Sequence, residues 1–473
     1  MRVMLIVPPS NLEIEYGEFR ESGSMYNSIG LGSLAAVALE VGHDVKVVDC
    51  EAMGYNYEDL AREISAFNPG LVGLQTFCTT IDRCHKCARV VKTVNPGTPV
   101  VFGGVQASLF PQDALKTPEV DFVIEGEGEI AFLNLMRYVE GKVPRSQVLS
   151  LHYKEGSGSD LSFGRNPLQG LIEDLDTLPY PARQLFPIDR YHSAAQLRGR
   201  KTLHLMSSRG CPYRCSYCTS HMTFGKTHRW MSDEKVIGEI EHLMKDFGVD
   251  GLQFYDETFT MNRPRVMKLM DSMMRRGIKV PWTCFTRVNL VDKELLDKMA
   301  EAGCYQIFYG IESGVQRLLD LIKKDHTLDQ ARNAVRITRQ AGIESVAAFM
   351  LTLPTETAAE TEATINFGLE IDPDYVYWLT MTPYPGTPLY ETALEGGTII
   401  NDDWQHYTVF NDIVYVPTGR DADEIKKKLR SAYRRFYLRP QYLARRVKSF
   451  AKLPPKKIAS LIASGSRIFV QRG

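Results

Sequence analysis

The sequence predicts an α/β chain of two successive architectures. A doubly wound, Rossmann-like parallel sheet is expected over residues 1–140 and a partial, TIM-type (β/α)6 barrel over 200–400. Three observations predict this. In the first 140 positions short apolar runs alternate with helical periodicity, which is the pattern of a parallel sheet. Six more strand–helix units follow between Leu203 and Thr380. Each strand of that second set ends in polar side chains, and the first ends in three cysteines, where a barrel gathers its working groups.

Composition bounds the function. At 473 residues the chain exceeds one compact core, so two or three domains are expected. With 44% hydrophobic and 24% charged residues it is ordinary for a globular protein, and a net charge of −1 gives no overall pull toward nucleic acid or membrane. No apolar run is long enough to span a bilayer, and Met1 to Pro9 reads as a strand, not a signal peptide. Nine cysteines in such a chain are no disulfide framework, so a reducing cytoplasm is expected.

In the first domain the strands are Val3–Val7, Val45–Val48, Leu71–Thr76, Pro99–Gly103 and Phe122–Ile124. The helices are Ile29–Val41, Tyr57–Phe67 and Ile81–Val94, the last two stopped by Asn-Pro-Gly. Ligands of such sheets bind outside the carboxyl ends of the strands. Here those ends hold Pro8, Thr76, Phe77, Gly103, Gly104, Gln106, Glu125 and Gly126, and the glycines let a flat, bulky ligand approach the backbone. Cys84 and Cys87 sit three apart on one helix; a second metal site is one reading and ordinary helix packing the other.

Residues 141–199 read as a linker. Gly156-Ser157-Gly158-Ser159 is a flexible loop, and Leu178-Pro179-Tyr180-Pro181 and Phe186-Pro187 are stiff and extended.

The barrel strands are Leu203–Ser208, Gly251–Tyr255, Trp282–Thr286, Gln306–Ile311, Ser345–Leu353 and Tyr375–Thr380. After the first come Cys211, Cys215 and Cys218, spaced C-x-x-x-C-x-x-C. Soft thiolates select zinc, copper or iron–sulfur clusters. Three on one loop can bind three irons of a cubic 4Fe–4S cluster and leave the fourth open to a small molecule. Structural zinc is the alternative, with His221 as fourth ligand. Later strand ends carry Asp256 and Glu257, Arg287, Glu312, Thr352 and Tyr384. Any one alone is an ordinary salt bridge or cap; in order behind the cysteines they form a set.

The stretch from Ser207 to Thr219 resembles the signature of the radical S-adenosylmethionine (SAM) superfamily, and the first domain resembles the cobalamin-binding domain of one of its large classes, which includes methyltransferases and the anaerobic Mg-protoporphyrin ester cyclase. The resemblance implies that SAM chelates the open iron, that Tyr217 packs near its adenine, that Asp256 and Glu257 face its ammonium and that Glu312 lies near its ribose or methionine end. It implies that Gly103 and Gly104 line the lower face of a corrin. Relatives usually carry Gly where Thr352 and Thr355 stand, and many carry His where Gln106 stands. The Asp-x-His-x-x-Gly motif is absent, so no histidine replaces the lower cobalt ligand.

Residues 401–473 read as a basic helical extension. From Ile425 onward there are fifteen Lys or Arg and no Asp or Glu, interleaved with Tyr433, Phe436, Tyr437, Tyr442 and Phe450. A helical cap on the barrel and a peripheral contact with the inner membrane face are both open; nucleic acid is the weaker match. The expected function is a cobalamin-dependent radical SAM enzyme, with a 4Fe–4S cluster, SAM and cobalamin, that methylates an unactivated carbon of a hydrophobic, lipid- or isoprenoid-like small molecule. An electron donor such as flavodoxin or ferredoxin is implied. Cyclisation, ring rearrangement, carbon–carbon coupling, and a non-catalytic cobalamin or iron–sulfur sensor are the alternatives.

Overall fold

The computed structural model describes residues 1–10, 24–156, 160–194, 197–408 and 412–450. These fall into two compact units, one of residues 1–10, 25–191 and 219–230, the other of 24, 192–218 and 231–450 among those described.

The first unit is a seven-stranded sheet. Its elements are β1 (Arg2–Val7), α1 (Ile29–Glu40), β2 (Asp44–Asp49), α2 (Tyr57–Phe67), β3 (Leu71–Gln75), α3 (Ile81–Val94), β4 (Val100–Gly103), α4 (Val105–Leu109), α5 (Pro111–Lys116), β5 (Phe122–Ile124), α6 (Glu129–Val139), β6 (Leu151–Glu155) and β7 (Ser162–Arg165). The strand order is β2-β1-β3-β4-β5-β6-β7. The first five are parallel, and the last two are added antiparallel. Central β1 is apolar without alternation, Val3 to Ile6 being wholly buried, because helices cover both faces of a parallel sheet.

Of the stretch 141–199 expected as a linker, the described residues up to 191 belong to the first unit. β6 and β7 extend the sheet, Ala182 N–H donates to Gly32 C=O at 2.9 Å, and Tyr191 donates to the Asp49 carboxylate at 2.5 Å. Positions 157–159 of the expected flexible loop lie outside the described residues. A second addition was not foreseen. Helix α7 (Ser220–Phe224), just past the cysteines, packs on α4. Its segment is held by a buried ion pair, Arg229 to Glu127 at 2.9 Å. Ile172 bonds both partners: its N–H donates to Glu127 at 2.8 Å and its C=O accepts from Arg229 at 2.6 Å. Added hydrogen bonds of that kind make a buried pair more tolerable.

The second unit holds a six-stranded, all-parallel sheet in chain order. Its strands are β8 (Thr202–Leu205), β9 (Gly251–Phe254), β10 (Trp282–Thr286), β11 (Cys304–Glu312), β12 (Glu344–Leu351) and β13 (Tyr375–Thr380). The connections carry α8 (Asp233–Phe247), α9 (Arg263–Arg275), α10 (Lys293–Glu301), α11 (Gln316–Leu321), α12 (Leu328–Gln340) and α13 (Ala358–Ile371). Five of these helices start on a side-chain cap, from Ser232, Asn262, Asp292, Thr327 and Thr357 respectively, which fixes where each strand–helix loop ends. This is the expected partial barrel.

Its last strand, β13, is an open edge, and the C-terminal helices α15 (Ala422–Tyr437) and α16 (Pro440–Phe450), which follow α14 (Pro388–Gly396), cover it. Tyr433 Oη donates to Trp378 C=O at 3.0 Å and accepts from Trp378 N–H at 3.2 Å. Tyr437, one turn later, does the same for Val376 at 2.9 and 3.1 Å. Tyr442 donates to Asp374 C=O at 3.2 Å. The aromatics that suggested a nucleic-acid or membrane stripe are thus a ladder of hydroxyls on an unpaired strand. Four of the cations pair with the barrel as well. Lys428 and Arg435 pair with Glu362, and Arg439 and Arg445 with Asp372. The apolar end at 458–470 lies outside the described residues.

Replacing Tyr433 and Tyr437 together by Phe should lower the unfolding free energy by about 2 kcal/mol, since each hydroxyl is worth roughly 1 kcal/mol net. Denaturant unfolding measures this, and hydrogen exchange should quicken at the Val376 and Trp378 amides.

Candidate functional site

The cysteine loop leaves the carboxyl end of β8. Asp256, just past β9, is 1% exposed and accepts from Ser207 N–H and Oγ, the latter at 2.8 Å, and from Ser208 Oγ. Arg265 donates to Ser207 C=O at 2.9 Å. Asp256 is therefore committed to holding the start of the loop, which corrects its expected role of facing an ammonium. Glu257 beside it is half-buried. Further along, Ser216 N–H donates to Ile322 C=O at 3.0 Å, Leu389 N–H to Ser216 C=O at 2.9 Å, and Cys218 N–H closes a turn on Cys215 C=O at 3.1 Å. Cys211 Sγ lies 3.8 Å from Thr258 Oγ1. Arg287, after β10, donates Nη1–H to Cys215 Sγ at 3.3 Å, donates to Lys324 C=O, and lies 3.5 Å over the Tyr213 ring.

Beside this loop is a buried charged triad. Lys324 Nζ donates to Glu312 at 2.8 Å and to Tyr217 Oη at 2.8 Å, and Tyr217 donates to Glu312 at 2.9 Å. Burial, then the Glu312 carboxylate, hold the Tyr217 phenol protonated far above its ordinary range. The Tyr217 ring packs on the apolar cluster of Leu318, Ile322, Leu353 and Leu389. Lys324 carried no motif in the sequence. It points inward because its neighbours Lys323 and Asp325 both take left-handed backbone, φ 52°. His326 is buried with neither ring nitrogen hydrogen-bonded; burial, then the Lys324 and Arg287 cations, push its pKa down to about 3.

Past β12, Thr352 has φ 66° and Thr355 φ 63°. The Thr352 hydroxyl accepts from Met381 N–H at 3.3 Å, so it holds the next strand end. Glu356 is buried and accepts from Leu353 N–H at 2.7 Å and Thr361 Oγ1 at 2.5 Å. Tyr384 donates to Tyr407 C=O at 3.2 Å. Among the described residues, buried Ser216 Oγ and Thr382 Oγ1 have no partner on the protein.

In the first unit the carboxyl edge is built around Thr76. Its N–H and hydroxyl both donate to Gly103 C=O, at 2.7 and 2.9 Å, its hydroxyl accepts from Ala107 N–H at 3.0 Å and its C=O from Gln106 N–H at 3.2 Å. Gly104 has φ 90°, and a Cβ there would stand 2.8 Å from Thr76 O, so only glycine fits. Gln106 Nε2 and both polar atoms of the Asn27 side chain are buried with no partner. Phe77 is exposed and Pro8 buried. Glu125 pairs with His152 at 2.7 Å, and Gly126 N–H donates to Ser108 Oγ at 3.0 Å. Asn27 was not singled out from sequence, for it stands on no strand end. Cys84 and Cys87 are wholly buried helix residues, and burial raises the thiol pKa of Cys84 to about 12 and that of Cys87 further. Among the described residues no three His, Cys, Asp or Glu side chains are gathered to hold a single metal ion. A four-iron cube takes its thiolates at separate corners, further apart than the ligands of one ion.

The radical SAM superfamily matches residues 205–368, and the B12-binding domain residues 19–136. An uncharacterized methyltransferase of Pyrococcus horikoshii is 33% identical over 444 residues, 94% of each chain. The chain belongs to the cobalamin-dependent radical SAM methyltransferase family. A cytidylyl-2-hydroxyethylphosphonate methyltransferase of Streptomyces wedmorensis is 26% identical over 447 residues, 84% of this chain and 83% of that one. The fold is shared with the radical SAM methyltransferase TsrM of Kitasatospora setae, solved with cobalamin and a 4Fe–4S cluster, at a TM-score of 0.70 and 18% identity over 89% of this chain and 83% of that one. A methyltransferase of this family works with a 4Fe–4S cluster, SAM and cobalamin. Among the described residues no helix is long and apolar enough to cross a membrane.

The residues present fit these groups. The cysteine loop has a cation donating to a cysteine sulfur and a buried hydroxyl, Ser216, without a partner among the described residues, and the sheet edge has a glycine-only cradle with orphaned amides, the polar atoms that corrin amide side chains would satisfy.

Burial raises the Glu356 carboxyl to about 7, partly offset by its hydrogen bonds and Arg420. Raised in the folded state, it binds its proton when the unfolded chain has lost it, so its contribution weakens stability as pH rises from 4.5 to about 7. Each unit of displacement is worth about 1.4 kcal/mol. Glu356→Gln should flatten this fall, as thermal midpoints across that window will show.

Proposed function

We propose that Cys211, Cys215 and Cys218 ligate the cluster and that the enzyme methylates an unactivated carbon of a hydrophobic small molecule. The observation that carries the ligand assignment is the Arg287 guanidinium donating to Cys215 Sγ at 3.3 Å within a three-cysteine loop at a strand's carboxyl end. Arg287 also ties that sulfur to the Lys324 loop and so fixes the cysteine's orientation.

When bound, the cofactors supply a 5′-deoxyadenosyl radical that removes a hydrogen atom from carbon and a methyl group that replaces it. The protein's part is to bind, orient and exclude water. Lys324 and Glu312 offer SAM a matched cation and anion, and Glu257 a carboxylate for its ammonium. Gly104 lets a corrin lie against the backbone, and Gln106 and Asn27 offer it amides. Cluster reduction requires a low-potential one-electron donor, a flavodoxin or ferredoxin.

Cys215→Ala should abolish the cluster's visible absorbance and all deoxyadenosine formation; a variant that still cleaves SAM would sink the assignment. Anaerobic reconstitution should give about four irons and one cobalt per chain by metal analysis. Arg287→Met should lower the cluster's reduction potential by on the order of 50 mV, measured by EPR potentiometry, because a charged hydrogen bond to sulfur stabilises the reduced, more negative cluster.

A further inference from the structure

The barrel's inner face carries a belt of rings. Which face is inner follows from alternation along the strands. Tyr309 bonds Thr338 of α12 and Phe349 packs on Phe367 of α13, so these residues face the helices, and Phe254 is wholly buried against Phe259 and Trp282. Their neighbours of opposite parity, Tyr255, Phe285, Phe308 and Tyr377, face inward. They touch in sequence. Tyr255 and Phe285 have centroids 5.3 Å apart, Phe285 and Phe308 5.1 Å, and Phe308 and Tyr377 5.8 Å. The last contact reaches across β12, whose inward positions there are small, Val346 and Ala348, both buried. His204 closes the other end against Tyr255 at 4.9 Å.

These rings are not packed core. Tyr255 is 43% exposed, and Phe285, Phe308 and Tyr377 are half-buried. A barrel interior that serves only stability is filled by side chains in closed layers. Yet protein crowds Tyr255 enough to raise its phenol pKa by burial alone. A ring open to solvent but surrounded by protein stands on the wall of a cavity. The charges keep to the two ends. Arg287, Lys324 and Glu312 are at or past the carboxyl ends of the strands, and the Arg198–Glu344 pair, 3.8 Å apart, is at the amino end. Among the described residues the belt between them carries no Asp, Glu, Lys or Arg.

We infer that this belt seats the substrate and that the portion it holds is apolar and uncharged. This rests on the radical methylation reading above and narrows it. A phosphate, carboxylate or ammonium would have to leave water for a wall of rings with no counter-charge, which is unfavourable; a hydrocarbon surface would cover the exposed rings and gain by it. Charged parts of the same substrate are therefore confined to the ends of the barrel.

The test uses enzyme reconstituted with cluster and cobalamin, without SAM, and two fluorescent probes that share a ring system. N-phenylnaphthylamine is uncharged, and anilinonaphthalene sulfonate carries the charge. The uncharged probe should bind saturably, with the sulfonate weaker by roughly tenfold or more. Phe308→Glu should weaken the uncharged probe by roughly tenfold or more, and Phe308→Leu should restore it, iron content and thermal midpoint confirming folded protein. If Phe308→Glu does not fold, Phe285→Glu takes its place, and the comparison of the two probes on the wild-type enzyme needs no variant. Equal affinity for both probes, or unchanged binding in a folded glutamate variant, would overturn the inference. Failure of the methylation reading shows separately, as wild-type enzyme that holds no iron or forms no deoxyadenosine whatever the probes do.

Discussion

A parallel sheet of six strands cannot close on itself, and most of what is distinctive in the second unit answers that constraint. An unclosed barrel has an edge whose backbone groups need partners, and an interior its own side chains do not fill. The edge is met by hydroxyls: Tyr433, Tyr437 and Tyr442 serve Trp378, Val376 and Asp374 from one side. Tyr433 and Tyr437 are four apart on a helix, one turn, while Trp378 and Val376 are two apart on a strand. The helix rise over four residues, about 6 Å, matches the strand rise over two, about 6.6 Å. That near-equality lets one helix face serve one strand edge. The interior is left open, and its exposed rings are the consequence.

Openness also places demands on the strand ends. Glu312, Thr352 and Thr355 all take positive φ, 71°, 66° and 63°, a conformation costing a non-glycine residue on the order of 1–2 kcal/mol. Each is compensated locally. Glu312 has Lys324 and Tyr217, the Thr352 hydroxyl holds Met381 N–H, and Thr355 accepts from Arg317 at 3.1 Å. The left-handed backbone is the physical reason glycine suits the two threonine positions. Threonine there trades backbone ease for a hydroxyl the loop uses.

The repeating elements were legible in the sequence because their signals are local. Asn-Pro-Gly stops and apolar periodicity gave Tyr57–Phe67 and Ile81–Val94 to the residue, and Trp282–Thr286 and Tyr375–Thr380 likewise. β6 and β7 were hidden because they are short: β6 has five residues, and the edge strand β7 has four, two of them Ser and Gly. Lys324 was hidden because two left-handed neighbours, which no local signal announced, turn it inward. The tail was misread for a related reason. A stripe of Tyr, Lys and Arg looks alike whether it faces lipid, phosphate or a strand edge, and only Glu362 and Asp372, far away in sequence, decide which. Asp256 shows the same limit at the site: acidic residues at a strand end were visible, but not that one was already saturated by Ser207 and Ser208.

Two buried cations stand beside the cysteine loop, Arg287 and Lys324. Glu312 pairs with Lys324, while Arg287 donates to a sulfur and a carbonyl and, among the described residues, has no carboxylate partner in its hydrogen bonds. Burying a charge is costly unless something of opposite sign meets it. His326 registers both cations: they disfavour its charged form, and its ring is neutral. On the reading proposed above, a cluster held by three thiolates would bear net negative charge, and Arg287, already donating to the Cys215 sulfur, would be the cation that meets it.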